Sequence, residues 1–314
     1  MRNVFLEIEK ERVTIRTLNL LILVVVWGSY YIANKLALSA FSVVFNGIFI
    51  RTFVLFSMLL VGAVMRKNGE LLRVRYIFSK LILIGLLGFA LDITAFLGFK
   101  YSTASKGAVL LRTDVLFSAF ISLFFGEIPG LFDIISMVLM LFGVVLVSNA
   151  QNLLKLSQGD VFFLLSAFFI SLNAFVIRSV QEDKRNPGTD FVIAFYNNFF
   201  TLVFFSLFSL KSLPHEIFNN FALLGFNIPT FGLIAAGVCQ YLIYVVYYRN
   251  LRLFPVWLVR TSLLFMPVYV LIVMSFFGES ITGKQLIGVL VILMGAFLLT
   301  MNNQFVKQKK QVKR

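Results

Sequence analysis

The sequence predicts an all-α integral membrane protein with ten transmembrane helices in two inverted five-helix repeats. Three observations support this fold class: an apolar composition, ten apolar runs of spanning length, and an internal repeat. Of the 314 residues, 60% are hydrophobic and only 13% are charged. Soluble domains carry about a quarter charged residues. Lipid must therefore be the solvent for most of this chain.

Ten apolar runs can cross a membrane. A transmembrane helix needs about 20 apolar residues, and Gly, Pro and charged residues separate the runs from one another. The runs lie at about 17–38, 42–65, 77–98, 104–125, 130–149, 159–180, 190–210, 222–248, 256–277 and 285–303.

The basic residues predict the orientation. With both termini cytoplasmic, 19 Lys and Arg residues fall on the cytoplasmic side and at most six fall outside. Cytoplasmic loops carry this excess in multi-pass proteins. We therefore expect a cytoplasmic (inner) membrane protein with a cytoplasmic segment at 1–16, which has no apolar core and is not a secretory signal. The basic tail at 304–314 is interpreted as a topology anchor in preference to a lipid or partner site.

The chain repeats itself. FFGE occurs at 124–127 and again at 276–279, an offset of 152 residues that continues without a gap and superposes Gly143 on Gly295. A weaker match pairs the first span with the sixth. The predicted repeats cover 17–151 and 157–303. Five spans in each repeat force the second repeat to enter the membrane from the opposite side, as in many transporters.

Several motifs now carry a family resemblance. WGSYYIANKLA in the first span, KYSTASKGAVLL before the fourth, then FFGE and LFGVVLV resemble one EamA unit of the drug/metabolite transporter superfamily. GDVFFLLSAFFISLNAFVIR and the segment from YYRNLRLFPVWLVR onward resemble a second unit. The resemblance implies a central cavity surrounded by the first, third, fourth, sixth, eighth and ninth spans. It also implies transport of small metabolites or drugs.

One position departs from the family pattern. The resemblance implies Pro in the middle of the fourth and ninth spans, and Pro267 fits the ninth. Val115 stands at the equivalent place in the fourth, shortly after Arg112 and Asp114. We expect charge to replace the helix break there, which argues against a cavity for apolar drugs.

Four charged side chains are predicted at a similar membrane depth: Arg51, Asp92, Arg112 and Asp114. Charges inside a span usually face a bundle interior or a cavity. We expect Asp92 and Arg112 to pair. Three interpretations stay open. The residues form a structural ion-pair network, or Arg112 binds an anionic or zwitterionic substrate, or Asp92 or Asp114 takes up a proton.

Arg260, in the ninth span, has no evident carboxylate at its own depth. It either extends towards the cytoplasmic interface or binds an anionic group in the expected cavity.

Tyrosines form a stripe on the eighth span. Tyr241, Tyr244 and Tyr248 recur at helical spacing. An interfacial aromatic belt explains Tyr247 and Tyr248 beside Arg249, whereas cavity lining is the favoured interpretation of Tyr241 and Tyr244.

Polar residues of the first and sixth spans complete the candidate site. Tyr30 and Asn34 are expected to face Asn173, which matches Tyr30 in the repeat. Ordinary interhelical hydrogen bonding explains these residues equally well. Glu127 and Glu279 end the matching FFGE turns, and we assign them a structural or gating role outside the substrate site.

The sequence excludes several function classes. The single Cys239 and single His215 provide no Cys/His metal set, and no P-loop is present. We therefore expect no cofactor, no metal and no enzymatic activity. The net charge of +14 is explained by topology, so no nucleic-acid partner is expected.

The predicted function is secondary transport of a small polar metabolite by alternating access, with an amino acid, a nucleotide-like compound or another anionic or zwitterionic substrate. The bilayer and the substrate are the expected partners, with protons or a counter-substrate as the open choice of coupling. The alternatives are a passive channel, a lipid scramblase or an exporter of hydrophobic drugs. The oligomeric state is left open between monomer and homodimer.

Overall fold

Every regular element in the described part of the chain is a helix. The computed structural model describes residues 2–101, 110–126, 129–147, 157–185, 188–210, 213–276 and 282–312. The helices are α1 (Arg2–Ala37), α2 (Val43–Val64), α3 (Phe78–Tyr101), α4 (Asp114–Ser122), α5 (Leu131–Val147), α6 (Gln158–Gln181), α7 (Asp190–Phe208), α8 (Leu213–Phe221), α9 (Ile228–Leu253), α10 (Val256–Ser262), α11 (Met266–Phe276) and α12 (Gly283–Val312).

Within the described residues, nine apolar helical segments coincide with predicted spans, and α4 lies in the predicted fourth span. Six are long and apolar enough to cross a membrane: Val43–Val64, Phe78–Ala95, Gln158–Gln181, Asp190–Phe208, Ile228–Leu253 and Val256–Val273. Three are shorter: Leu18–Asn34, Leu131–Val147 and Gly283–Leu299. The all-α membrane fold is thus confirmed. The start of the fourth span at 104, Glu127 and Glu279 lie outside the described residues.

Equivalent amide-to-side-chain hydrogen bonds begin the fifth and tenth spans, at positions that match under the repeat offset. The Gly130 amide donates to Asp133 Oδ2 at 2.8 Å, and the Thr282 amide donates to Gln285 Oε1 at 2.8 Å. Such bonds satisfy amides that a helix start leaves without an intrahelical acceptor. The two repeats therefore share the hydrogen bonds that cap these helices, as well as their sequence motifs.

The fourth and ninth spans both contain a 3₁₀ turn, at Leu111–Thr113 and at Leu263–Phe265. These turns are repeat-equivalent, because 111 plus the offset is 263. The expectation that charge replaces the break in the fourth span was wrong. In this turn the Asp114 amide donates to the Leu111 carbonyl, three residues back, and the Thr113 hydroxyl donates to the Leu110 carbonyl at 2.6 Å.

Two compact units make up the fold, and they do not coincide with the two repeats. The first comprises Met1–Ala90 and Asn173–Phe254, and the second comprises Leu91–Leu172 and Pro255–Arg314. Each unit therefore takes helices from both repeats, and both α3 and α6 contribute to both units.

In the second unit, α5 packs closely on its repeat-equivalent helix α12. A Cβ on Gly143 would lie 2.6 Å from Ile292 Cγ1 and 2.8 Å from the Gly288 carbonyl oxygen. A Cβ on Gly295 would lie 2.5 Å from Met140 Cγ and 3.0 Å from the Ser136 carbonyl oxygen. Ser136, Met140 and Gly143 correspond to Gly288, Ile292 and Gly295 under the repeat offset. The contact is therefore two-fold and self-complementary within one chain.

In the first unit, α1 packs along α9, and α2 packs on α7 and α9. Gly232 of α9 permits the close approach, since a Cβ there would lie 2.8 Å from Leu36 Cβ and 2.9 Å from the Ala33 carbonyl oxygen. Small residues at such crossings allow helix backbones to meet in lipid, where packing drives association.

Candidate functional site

The second unit buries two arginines and one aspartate in one cluster. Arg112, Asp114 and Arg260 are 2%, 0% and 3% exposed. Arg260 Nη1 lies 3.5 Å from Asp114 Oδ2, and both guanidiniums attract the carboxylate electrostatically. With all three ionised, this charged cluster carries one net positive charge.

Local structure explains how the cluster is held. Asp114 is the first residue of α4 and directly follows the 3₁₀ turn. Ser171 of α6 donates to the Asp114 carbonyl oxygen at 2.7 Å, and Ser118 donates to Ser171 Oγ at 3.1 Å. Arg260 Nη2 donates to the Ile170 carbonyl oxygen at 3.1 Å. Three helices, α4, α6 and α10, thus fix the cluster.

The expectation that Arg260 has no carboxylate at its depth was wrong. Depths counted along a helix compare backbone positions, whereas the long Arg side chain carries its charge well away from its Cα. Arg260 is buried and pairs with Asp114, so it does not extend to the interface as an exposed cation would. Asp92 lies half-buried on α3 in the same unit, and its pairing with Arg112 stays a prediction.

Arg51 belongs to the first unit and bridges three helices there. Its Nη1 donates to Asn198 Oδ1 of α7 at 3.1 Å and to the hydroxyl of Tyr244 on α9. Arg51, Asn198 and Tyr244 are all buried. Tyr244, which the sequence placed in the substrate site, therefore accepts a hydrogen bond from a cation of α2.

A second set of hydrogen bonds joins α3, α7 and α9. Asn197 Nδ2 donates to the Tyr248 hydroxyl at 2.7 Å, and Thr201 donates to Asn197 Oδ1 at 3.3 Å. Thr201 also lies 3.2 Å from the Gly85 carbonyl oxygen. Tyr244 and Tyr248 meet edge to face, with ring centroids 5.4 Å apart. The two sets form one buried polar region.

The belt interpretation of Tyr247 and Tyr248 was wrong. Tyr247 is 4% exposed and packs edge to face on Trp27, and Tyr248 is fully buried. The helical stripe points its tyrosines into the unit because α9 packs on α1, α2 and α7. Tyr241 is half-buried, and its role as cavity lining stays a prediction.

The polar residues of the first span form interhelical contacts. Asn46 Nδ2 of α2 donates to Asn34 Oδ1 at 2.7 Å, and Asn34 Nδ2 donates to the Tyr30 carbonyl oxygen at 3.0 Å. These bonds favour the structural interpretation of Asn34. Asn173 is 6% exposed, and its side-chain oxygen accepts no hydrogen bond from a described residue. That Tyr30 and Asn173 face each other stays a prediction.

Sequence reasoning missed the partners on α6 and α7. Asn197 and Asn198 interrupt the apolar run FVIAFYNNFFTLVFF, which is a signal for buried polar contacts in a span. Ser118 and Ser171 had no such signal, because single serines are common in transmembrane helices.

Tyr248→Phe tests the polar region of the first unit. Removal of the hydroxyl leaves the Asn197 amide without its acceptor, which costs about 1–3 kcal/mol for a buried group. We expect a lower midpoint of thermal unfolding in detergent. Tyr76→Phe, at an exposed ring, is the matched control and should leave the midpoint unchanged. Equal midpoints for both variants would contradict the assigned bond.

Comparison with known proteins agrees with this architecture. A family model described as the EamA-like transporter family matches residues 15–149 and again 157–301. A solved structure described only as "Crystal structure of protein" superposes with a TM-score of 0.71 at 16% identity, covering 93% of this chain and 99% of that one. No curated protein matches the sequence. Since the two family matches together cover nearly the whole chain, this multi-pass membrane protein belongs to the EamA-like transporter family.

Proposed function

We propose that this protein is a secondary transporter that moves a small anionic or zwitterionic metabolite across the cytoplasmic membrane by alternating access. The charged cluster carries the proposal. Two guanidiniums and one carboxylate lie buried together in spans that otherwise need only apolar side chains. Ionisable residues at such positions are costly and typically mark substrate or ion pathways.

The chemistry of the cluster suits an anionic group. Arg presents planar paired donors that match carboxylate and phosphate. Asp114 offers an acceptor for a substrate ammonium, so an amino acid or a similar zwitterion fits as well as a simple anion. A site for hydrophobic drugs has no use for two buried cations.

Substrate identification begins with purified protein. Thermal stabilisation is measured with amino acids, nucleotides and sugar phosphates, and in parallel with neutral apolar compounds and organic cations. Compounds that stabilise the protein are then tested for saturable counterflow in proteoliposomes. Counterflow distinguishes a carrier from a channel or scramblase, whose flux does not saturate.

Arg112→Gln tests the role of the cluster in transport. Loss of a charged hydrogen-bond donor costs about 1.5–3 kcal/mol, so we expect counterflow to fall about 10- to 100-fold. Arg249→Gln, at an exposed position of α9, is the control and should retain counterflow. The proposal fails if only apolar compounds or organic cations stabilise the protein and Arg112→Gln transports normally.

A further inference from the structure

The carboxylate of Asp114 is poorly satisfied for a group so deeply buried. Asp114 is 0% exposed, and neither carboxylate oxygen accepts a hydrogen bond of normal geometry from a described residue. Its closest charged partner, Arg260 Nη1, lies 3.5 Å away, beyond a good hydrogen bond. The neighbouring Val115 amide and Arg112 supply the remaining stabilisation. A buried carboxylate with so few hydrogen-bond donors can change between its charged and its protonated form when the charges around it change.

Two charged groups of the described residues act on Asp114. Arg112 lies on the same segment, and α10 contributes Arg260. From α6 come the uncharged Ser171 and the Ile170 carbonyl oxygen. Asp133 of α5 bonds the Gly130 amide at the start of its own helix, and Asp92 lies half-buried on α3.

An anion that binds the two arginines must compete with Asp114. Arg260 would hold the anion with the same guanidinium that now faces the carboxylate. Two negative charges in one buried site repel each other, and a proton on one of them removes that repulsion. Binding of the anion and binding of a proton then favour each other, because linkage is reciprocal.

We propose that Asp114 takes up one proton when an anion binds to Arg112 and Arg260, so that anion and proton cross the membrane together. The proton adds to a carboxylate oxygen and leaves with the anion on the opposite side. This inference rests on the proposed function and adds its coupling ion. It assigns proton uptake to Asp114 and not to Asp92.

Sulfate is a suitable probe because it remains a dianion throughout the neutral pH range. Its binding to purified protein is measured by titration calorimetry at several pH values, in buffers with different ionisation enthalpies. We expect about one proton to be taken up per sulfate. We also expect the affinity to fall about tenfold for each unit of rising pH, the slope of a one-proton linkage.

Two near-isosteric variants locate the proton. Asp114→Asn should bind sulfate without proton uptake and without pH dependence, and Asp92→Asn should still take up about one proton for each sulfate that it binds. Loss of uptake in Asp92→Asn alone would overturn the assignment to Asp114. Sulfate binding without proton uptake in the unchanged protein would overturn the coupling and leave the anion site intact. Absence of sulfate binding at every pH would refute both the coupling and the proposed anion site.

Infrared difference spectra keep the test decisive if Asp114→Asn does not fold. Sulfate should produce the carbonyl band of a protonated carboxylic acid, and that band should shift when the protein is labelled with ¹³C-aspartate. Absence of a label-sensitive band on sulfate binding would overturn the proposal.

Discussion

Gly288→Ala is expected to destabilise the protein markedly, although alanine is the better helix former. A Cβ at this position would lie 2.7 Å from the Val147 amide nitrogen and 2.8 Å from the Gly143 carbonyl oxygen. Both are backbone atoms, so α5 and α12 must move apart. Overpacking of this kind costs about 1–3 kcal/mol, against a gain in helix propensity of up to about 1 kcal/mol.

The same helix offers a control. Gly283→Ala places its Cβ where nothing lies within 4 Å, so its unfolding midpoint should be unchanged or slightly higher. The measurement is scanning fluorimetry of both variants in the same detergent. If Gly288→Ala unfolds at the midpoint of Gly283→Ala, the close crossing of α5 and α12 is incorrect.

Arg260→Leu is expected to be the most destabilising single change in the charged cluster. It leaves the fully buried Asp114 without its closest cation, and removal of one partner of a buried pair costs about 3–5 kcal/mol. The thermal midpoint in detergent and the yield of monodisperse protein should both fall. Arg249→Leu, at an exposed arginine, should have a small effect.

A double variant distinguishes loss of the Asp114–Arg260 interaction from general destabilisation of the fold. Arg260→Leu combined with Asp114→Asn removes the uncompensated charge, so part of the lost stability should return. The coupling between the two positions is read from a double-mutant cycle. Strictly additive losses would show that Asp114 and Arg260 do not interact.

The spans and the repeat were predictable because both depend on patterns along the chain. Lipid demands long apolar runs, and the ungapped offset aligns Gly143 with Gly295 and extends to the helix caps of α5 and α12. Burial of Arg112 and Asp114 was also expected, since charges in a span face inward.

Helix neighbours were harder to predict, because spacing does not say which helix packs on which. The hydrogen bonds of Arg51 to Asn198 and Tyr244 join α2, α7 and α9. These three helices are far apart in the sequence, so no local pattern predicts that they are neighbours. The Asp114–Arg260 pair was missed for a related reason. Counting residues locates the backbone in depth, whereas the charge of arginine lies at the far end of a flexible side chain.

The two 3₁₀ turns differ in whether they can be undone. Pro267 has no amide hydrogen, so the ninth span cannot restore a regular helix across its turn. Val115, its counterpart in the fourth span, keeps its amide hydrogen, so an α-helical bond from that amide to the Leu111 carbonyl is chemically possible. Covalent structure therefore restricts the turn of the ninth span, and it places no such restriction on the turn of the fourth.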